Sequence, residues 1–167
     1  MPAAQTDGAI IHVGKNFVQS RPAGQQARIG FARRKLPVAM PTTTTQGVTV
    51  TVTTNYLPDY SSPSQEHYVF AYRIEIRNDS EFTVKLLRRH WYISDASTGL
   101  REVEGEGVVG RQPVLEPGES HQYVSGCNLK SGVGKMRGTY LMERIGRGTQ
   151  FEVEIPEFTL MVPYRMN

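Results

Sequence analysis

Tyr68-Val69-Phe70-Ala71-Tyr72-Arg73-Ile74-Glu75-Ile76-Arg77 is the stretch that decides the fold. Tyr68, Phe70, Tyr72, Ile74 and Ile76 alternate with Val69, Ala71, Arg73, Glu75 and Arg77. A period of two places alternate side chains on opposite faces of an extended strand. The first set is aromatic or β-branched, so this strand turns an aromatic-rich face inward.

The same period recurs on both sides. Val48, Val50 and Val52 alternate with Thr49, Thr51 and Thr53. Between the two strands, Asn55 to Ser64 holds Pro58 and Pro63 and reads as a loop. After the turn at Asn78-Asp79-Ser80, Phe82 to Ser94 reads as a strand whose alternation breaks at Leu86-Leu87, which predicts a bulge or burial on both faces. Ser94 to Gly99 is a turn. Leu100 to Val109 returns as a strand with Glu102, Glu104 and Glu106 on one face. A loop spans Pro113 to Glu119, and Gly146-Arg147-Gly148 turns a later hairpin. Further strands fall at Ser120 to Leu129, Lys135 to Glu143, Gln150 to Pro156 and Phe158 to Val162.

Seven or eight short strands with frequent turns and no helical period specify an all-β chain. The architecture expected is an antiparallel β-sandwich of the immunoglobulin or fibronectin type III kind, with a barrel as the second choice. At 167 residues the chain is long enough for one core, and 38% apolar content with 26 Gly and Pro residues favours a turn-rich fold.

The net charge of +3 is unevenly spread. Residues 1–46 carry six basic groups (Lys15, Arg21, Arg28, Arg33, Arg34, Lys35) against Asp7 alone. Residues 47–167 carry thirteen basic and fifteen acidic groups, a net of −2. The basic character therefore belongs to the N-terminal segment, and no nucleic-acid partner is expected for the domain. Residues 1–46 lack sustained apolar periodicity and read as a flexible, basic segment, with the folded domain at 47–167. A transit peptide is disfavoured there by poor helical amphipathicity. No apolar run approaches the length of a membrane-spanning helix, so no membrane partner is expected. A single cysteine, Cys127, cannot form an internal disulfide, and a reducing, cytoplasmic setting is expected.

Gly105-Glu106-Gly107-Val108-Val109-Gly110 fits the pattern G-x-G-x-x-G. A dinucleotide turn needs a helix after it, so that the helix N-terminus faces the pyrophosphate. The run leads instead into Arg111-Gln112-Pro113-Val114-Leu115-Glu116-Pro117-Gly118. Two prolines and a Pro-Gly step are incompatible with that helix, so the run is not a dinucleotide fingerprint.

Several motifs in order resemble the ApaG family. They are Tyr68 to Tyr72, Leu87-Arg88-Arg89-His90-Trp91, Val103 to Gly110, Gln112-Pro113, Pro117-Gly118-Glu119, Tyr123 with Ser125-Gly126-Cys127, and Met136-Arg137-Gly138-Thr139-Tyr140. The resemblance runs from about Gly47 to the C-terminus and implies a fibronectin type III-like sandwich. Stand-alone bacterial members are about as long as the chain from Met40 onward, so residues 1–39 are expected to lie upstream of a natural start. The family name is attached to cobalt tolerance and magnesium efflux without an agreed chemical activity. Related eukaryotic domains, in F-box proteins and a DNA polymerase delta-interacting protein, look like interaction modules.

Three constellations are weighed as sites. Arg88, Arg89 and His90 with Gly105, Gly107 and Gly110 could form an anion site, the arginines supplying charge and the glycine backbone a nest of N–H donors. The structural alternative, which outweighs it, has Trp91 in the core, the arginines paired with Glu102 or Glu104, and the glycines making a bulge and tight loop. Glu102, Glu104 and Glu106 are weak candidates for a hard cation. A row of carboxylates on a straight strand is more often a solvated face, and no metal is assigned. His67, His90, His121 and Cys127 lack ligand spacing, and Cys127 reads as a small buried hydrophobe.

No catalytic set can be assembled from these residues and no cofactor is implied. The expected function is a non-catalytic binding module for a phosphate-bearing ligand or a protein partner. The competing class is a metal-assisted enzyme acting on phosphoanhydrides.

Overall fold

The computed structural model describes residues Ile10–Ile11 and 40–163. Ten strands are described: β1 (Ile10–Ile11), β2 (Thr42–Thr45), β3 (Val48–Tyr56), β4 (Tyr68–Asn78), β5 (Val84–Asp95), β6 (Gly99–Glu106), β7 (Val114–Leu115), β8 (Ser120–Leu129), β9 (Val133–Arg144) and β10 (Thr149–Met161). One sheet runs β1-β8-β4-β3-β2 and the other β10-β9-β5-β6, with β7 pairing β5, and the described pairings are antiparallel. The molecule is the expected β-sandwich. The loop between β3 and β4 holds two single 3-10 turns, each opened by a proline, Pro58 and Pro63.

The aromatic face of β4 lines the core. Phe70, Tyr72, Ile74 and Ile76 are buried, as are Val48, Val50 and Val52 on β3. Trp91 on β5 meets Tyr72 edge-on at 5.5 Å between ring centroids and Phe158 at 5.9 Å. Its strand neighbour is Gly138, where any Cβ would stand 2.1 Å from the His90 carbonyl oxygen. The glycine lets the backbones approach beneath the indole.

Two readings are corrected. The predicted strands at Gln150 to Pro156 and Phe158 to Val162 are one strand, β10, with a register shift between Ile155 and Phe158. Pro156 is tolerated because β10 is an edge strand. The folded domain also begins before residue 47. Thr42–Thr45 pair with Val48–Thr51, a β-branched but apolar-poor strand that a hydrophobic pattern does not reveal. The flexible reading of residues 1–39 lies outside the described residues except at Ile10 and Ile11, whose backbones pair with Cys127 and Gly126.

The bulge predicted at Leu86-Leu87 is present, as a register shift between Leu86 and Arg88 against β9. It turns the Leu87 carbonyl toward the segment after β6, where it accepts from the Gly107 N–H at 2.8 Å and from Gln112 Nε2 at 2.9 Å. The bulge thereby anchors the glycine run.

Asp95 closes the opposite end of β5. Oδ1 accepts from the Ser97 N–H at 3.0 Å, Ser97 Oγ at 3.0 Å and Ser131 Oγ at 2.7 Å, while Oδ2 accepts from the Lys130 N–H at 2.6 Å. One carboxylate thus ties the β5–β6 turn to the β8–β9 turn.

Candidate functional site

The alternation on β5 separates the three residues of the predicted anion site. Arg88 and His90 lie on the outer face of the sheet, Arg89 and the buried Trp91 on the inner one. Arg88 stands 3.7 Å from Glu104, a solvent-exposed pair of small energetic weight. His90 Nε2 is 2.9 Å from Glu102 and Nδ1 is 3.2 Å from Glu104, and its ring stacks on Tyr92 at 4.4 Å. Arg137 covers the Tyr92 ring at 4.6 Å. The outer face is a mixed ladder of cations, carboxylates and rings.

Arg89 turns inward. Its Nη1 donates to the Glu106 carbonyl at 3.0 Å and the Gly107 carbonyl at 2.9 Å. Burial pushes the pKa values of the Tyr72, Tyr123 and Tyr140 phenols far up, and the charge of Arg89 acts in the opposite direction. The hydroxyls of Tyr123 and Tyr140 are hydrogen-bonded to each other. Arg89, Gly105 and Gly107 are brought together, with Nη1 of the guanidinium held by two backbone carbonyls.

Each glycine of the run has a local cause. A Cβ on Gly105 would lie 2.9 Å from Arg89 Nη1, so Gly105 makes the seat for that guanidinium. Gly107 has φ +59° and a Cβ there would be 2.2 Å from the Arg111 carbonyl oxygen. Val108 and Arg111 exchange backbone hydrogen bonds at 2.7 and 3.0 Å around Val109 (φ 47°) and Gly110 (φ 72°), a tight turn with both central residues left-handed. The N–H groups of Gly107, Val108 and Arg111 all donate to protein carbonyls.

Glu102 and Glu104 are engaged with His90 and Arg88. Among the described residues no three His, Cys, Asp or Glu side chains are grouped to hold a metal ion. Cys127 is fully buried, and burial pushes its thiol up to about 11 against the opposing charge of Arg101. Arg101 Nη2 crosses from β6 to the Asn128 carbonyl at 2.7 Å, joining the two sheets over that thiol. Native Cys127 is therefore expected to react with a maleimide at least roughly a hundredfold more slowly than in denaturant, since labelling must await local opening. Comparable rates in the two conditions would show an accessible thiol.

A feature that spacing did not reveal lies beside the glycine turn. A pocket of about 580 Å³ is bounded by Arg111 to Leu115 and by Glu119, Ser120 and His121. The backbone around it is held by Asn78, which is fully buried and whose Nδ2 donates to the Leu115 carbonyl at 3.0 Å. Arg111 and His121 are separated in sequence by a loop, so no motif joined them. At the other end of the sandwich, Tyr56, Pro58, Pro63, Tyr68, Val133 and Met161 line an apolar groove of about 740 Å³.

Fold and site together define a β-sandwich domain with a glycine turn pinned to a strand bulge. Its sequence matches the ApaG domain model over residues 58–144. A Protein ApaG from Methylorubrum populi is 49% identical over 120 residues, covering 72% of this chain and 92% of that protein. One from Ralstonia nicotianae is 51% identical over 116 residues, covering 70% and 93%. The solved structure of a putative ApaA protein from Bordetella pertussis superposes with a TM-score of 0.67 at 45% identity, covering 74% of this chain and 97% of that one. The chain belongs to the ApaG family.

Proposed function

We propose that the domain is a non-catalytic binding module, recognising a phosphate-bearing ligand or a protein partner at the end of the sandwich that carries the glycine turn. The observation behind this reading is how the charged groups are used. Arg89 holds two backbone carbonyls, His90 holds two carboxylates, and Glu119 accepts from the Glu116 N–H at 2.8 Å. These are ties within the fold, whereas a catalytic site directs its acid, base and charge at one reacting atom. A role in cobalt or magnesium handling, which the resemblance implies, would be exercised through what the module binds. The buried thiol suits the reducing cytoplasm in which we place it.

The test is turnover. Pyrophosphate and nucleoside triphosphates, each with Mg2+ or Co2+, are incubated with the protein while phosphate release is followed. Saturable binding without release above the protein-free rate is expected. Release over many turnovers would replace this reading with that of a metal-assisted phosphoanhydride hydrolase.

A further inference from the structure

We infer that Arg111 and His121 form an oxyanion site in the pocket beside the glycine turn, with a phosphate group as the ligand class. The inference rests on the binding-module reading and names its site.

Four observations converge. Arg111 is exposed and, among the described residues, takes part in no ion pair. A guanidinium with no carboxylate partner keeps its planar fork of donors for a ligand, and that fork matches phosphate oxygens two at a time. His121 is half-buried on the pocket wall, its ring stacked near Tyr123 at 6.2 Å between centroids. Burial first, and the charge of Arg111 second, hold its imidazole below the usual range. Both residues line the same cavity, where a phosphate group could accept from the guanidinium and from an imidazole N–H, and its charge would favour the protonated ring. Ser120 adds a hydroxyl on the same wall.

The carboxylate on that wall is accounted for. Glu119 Oε2 is bound to its own turn through the Glu116 N–H, which draws its charge toward the loop backbone. Gln112 also lines the pocket, and its Nε2 is held by the Leu87 carbonyl. The bulge that anchors the glycine run therefore anchors this wall as well. A preorganised wall loses little entropy when a ligand settles against it.

Neither Arg88 nor His90 lines this pocket, so the two places can be told apart. Inorganic pyrophosphate is titrated calorimetrically into the full chain and into Arg111→Ala, Arg111→Lys, His121→Gln and Arg88→Ala, each first matched to the parent by circular dichroism. Arg111→Ala is expected to weaken binding tenfold or more, with Arg111→Lys recovering part of the loss. His121→Gln is expected to weaken it several-fold, and Arg88→Ala to leave it unchanged. Amide NMR shifts on titration should centre on residues 108–121. Binding that survives Arg111→Ala but falls with Arg88→Ala overturns this site and leaves the binding module standing. Absence of binding at millimolar pyrophosphate also overturns it, and the module reading then rests on a protein partner. Catalytic release in the turnover assay, by contrast, removes the module reading itself.

Discussion

Gly107→Ala is expected to be among the most damaging single-methyl additions in the domain, costing about 2–4 kcal/mol of stability. Two effects add. The residue sits at φ +59°, where an L side chain is strained, and the new Cβ would lie 2.2 Å from the Arg111 carbonyl oxygen, a backbone atom that cannot swing away. Gly110→Ala should cost only about 1–2 kcal/mol, because its φ is +72° but nothing stands within 4 Å of the added carbon. Gly105→Ala should fall near the milder value. Its new contact is the Arg89 guanidinium at 2.9 Å, which can shift at the expense of its hydrogen bonds to Glu106 and Gly107. Urea unfolding of the three variants gives the ordering. A run of glycines kept for a ligand would change affinity and leave stability nearly level. Equal destabilisation at 107 and 110 would remove the close-approach argument.

Asp95→Ala is expected to cost about 3 kcal/mol, because it strands donors that a buried carboxylate now satisfies. Asp95 is 4% exposed and accepts from Ser97, Lys130 and Ser131. Burial by itself would raise its pKa. The hydrogen bonds from Ser97, Ser131 and Lys130 outweigh that and hold it at about 2. A carboxyl depressed in the folded state contributes stability that is complete above its unfolded value, roughly 4, and lost as pH falls toward 2. Asp95→Asn keeps the shape without the charge, so the stability gap between parent and variant should be constant above pH ~4 and narrow below it. Denaturant melts at pH 7, 4, 3 and 2.5 would show this. A gap independent of pH would mean that the carboxylate is not the stabilising form.

Much of the frame was legible because strand periodicity is local. Val48 to Thr53 and Tyr68 to Arg77 declare both their conformation and their buried face within ten residues. The broken alternation at Leu86-Leu87 announced the bulge for the same reason. β2 escaped because its four threonines offer β-branching without an apolar face. Pro156 was read as a strand end, although an edge strand can carry a proline where a central strand cannot.

The candidate site divides along the same line. The residue order around Trp91 determined that Arg88 and His90 face one way and Arg89 the other, since side-chain alternation is a property of the strand itself. Likewise Pro113 and Pro117-Gly118 excluded the helix that a dinucleotide turn requires. Tertiary structure alone decided what those groups meet. Arg89 is bound by carbonyls seventeen and eighteen residues away, and His90 by carboxylates twelve and fourteen residues away. Arg111 and His121 come to line one pocket only through the pairing of β7 with β5 and the hold of Asn78 on the Leu115 carbonyl. Local pattern dictates the direction of a side chain, whereas its partner is set by long-range strand pairing that closes loops of no particular sequence length.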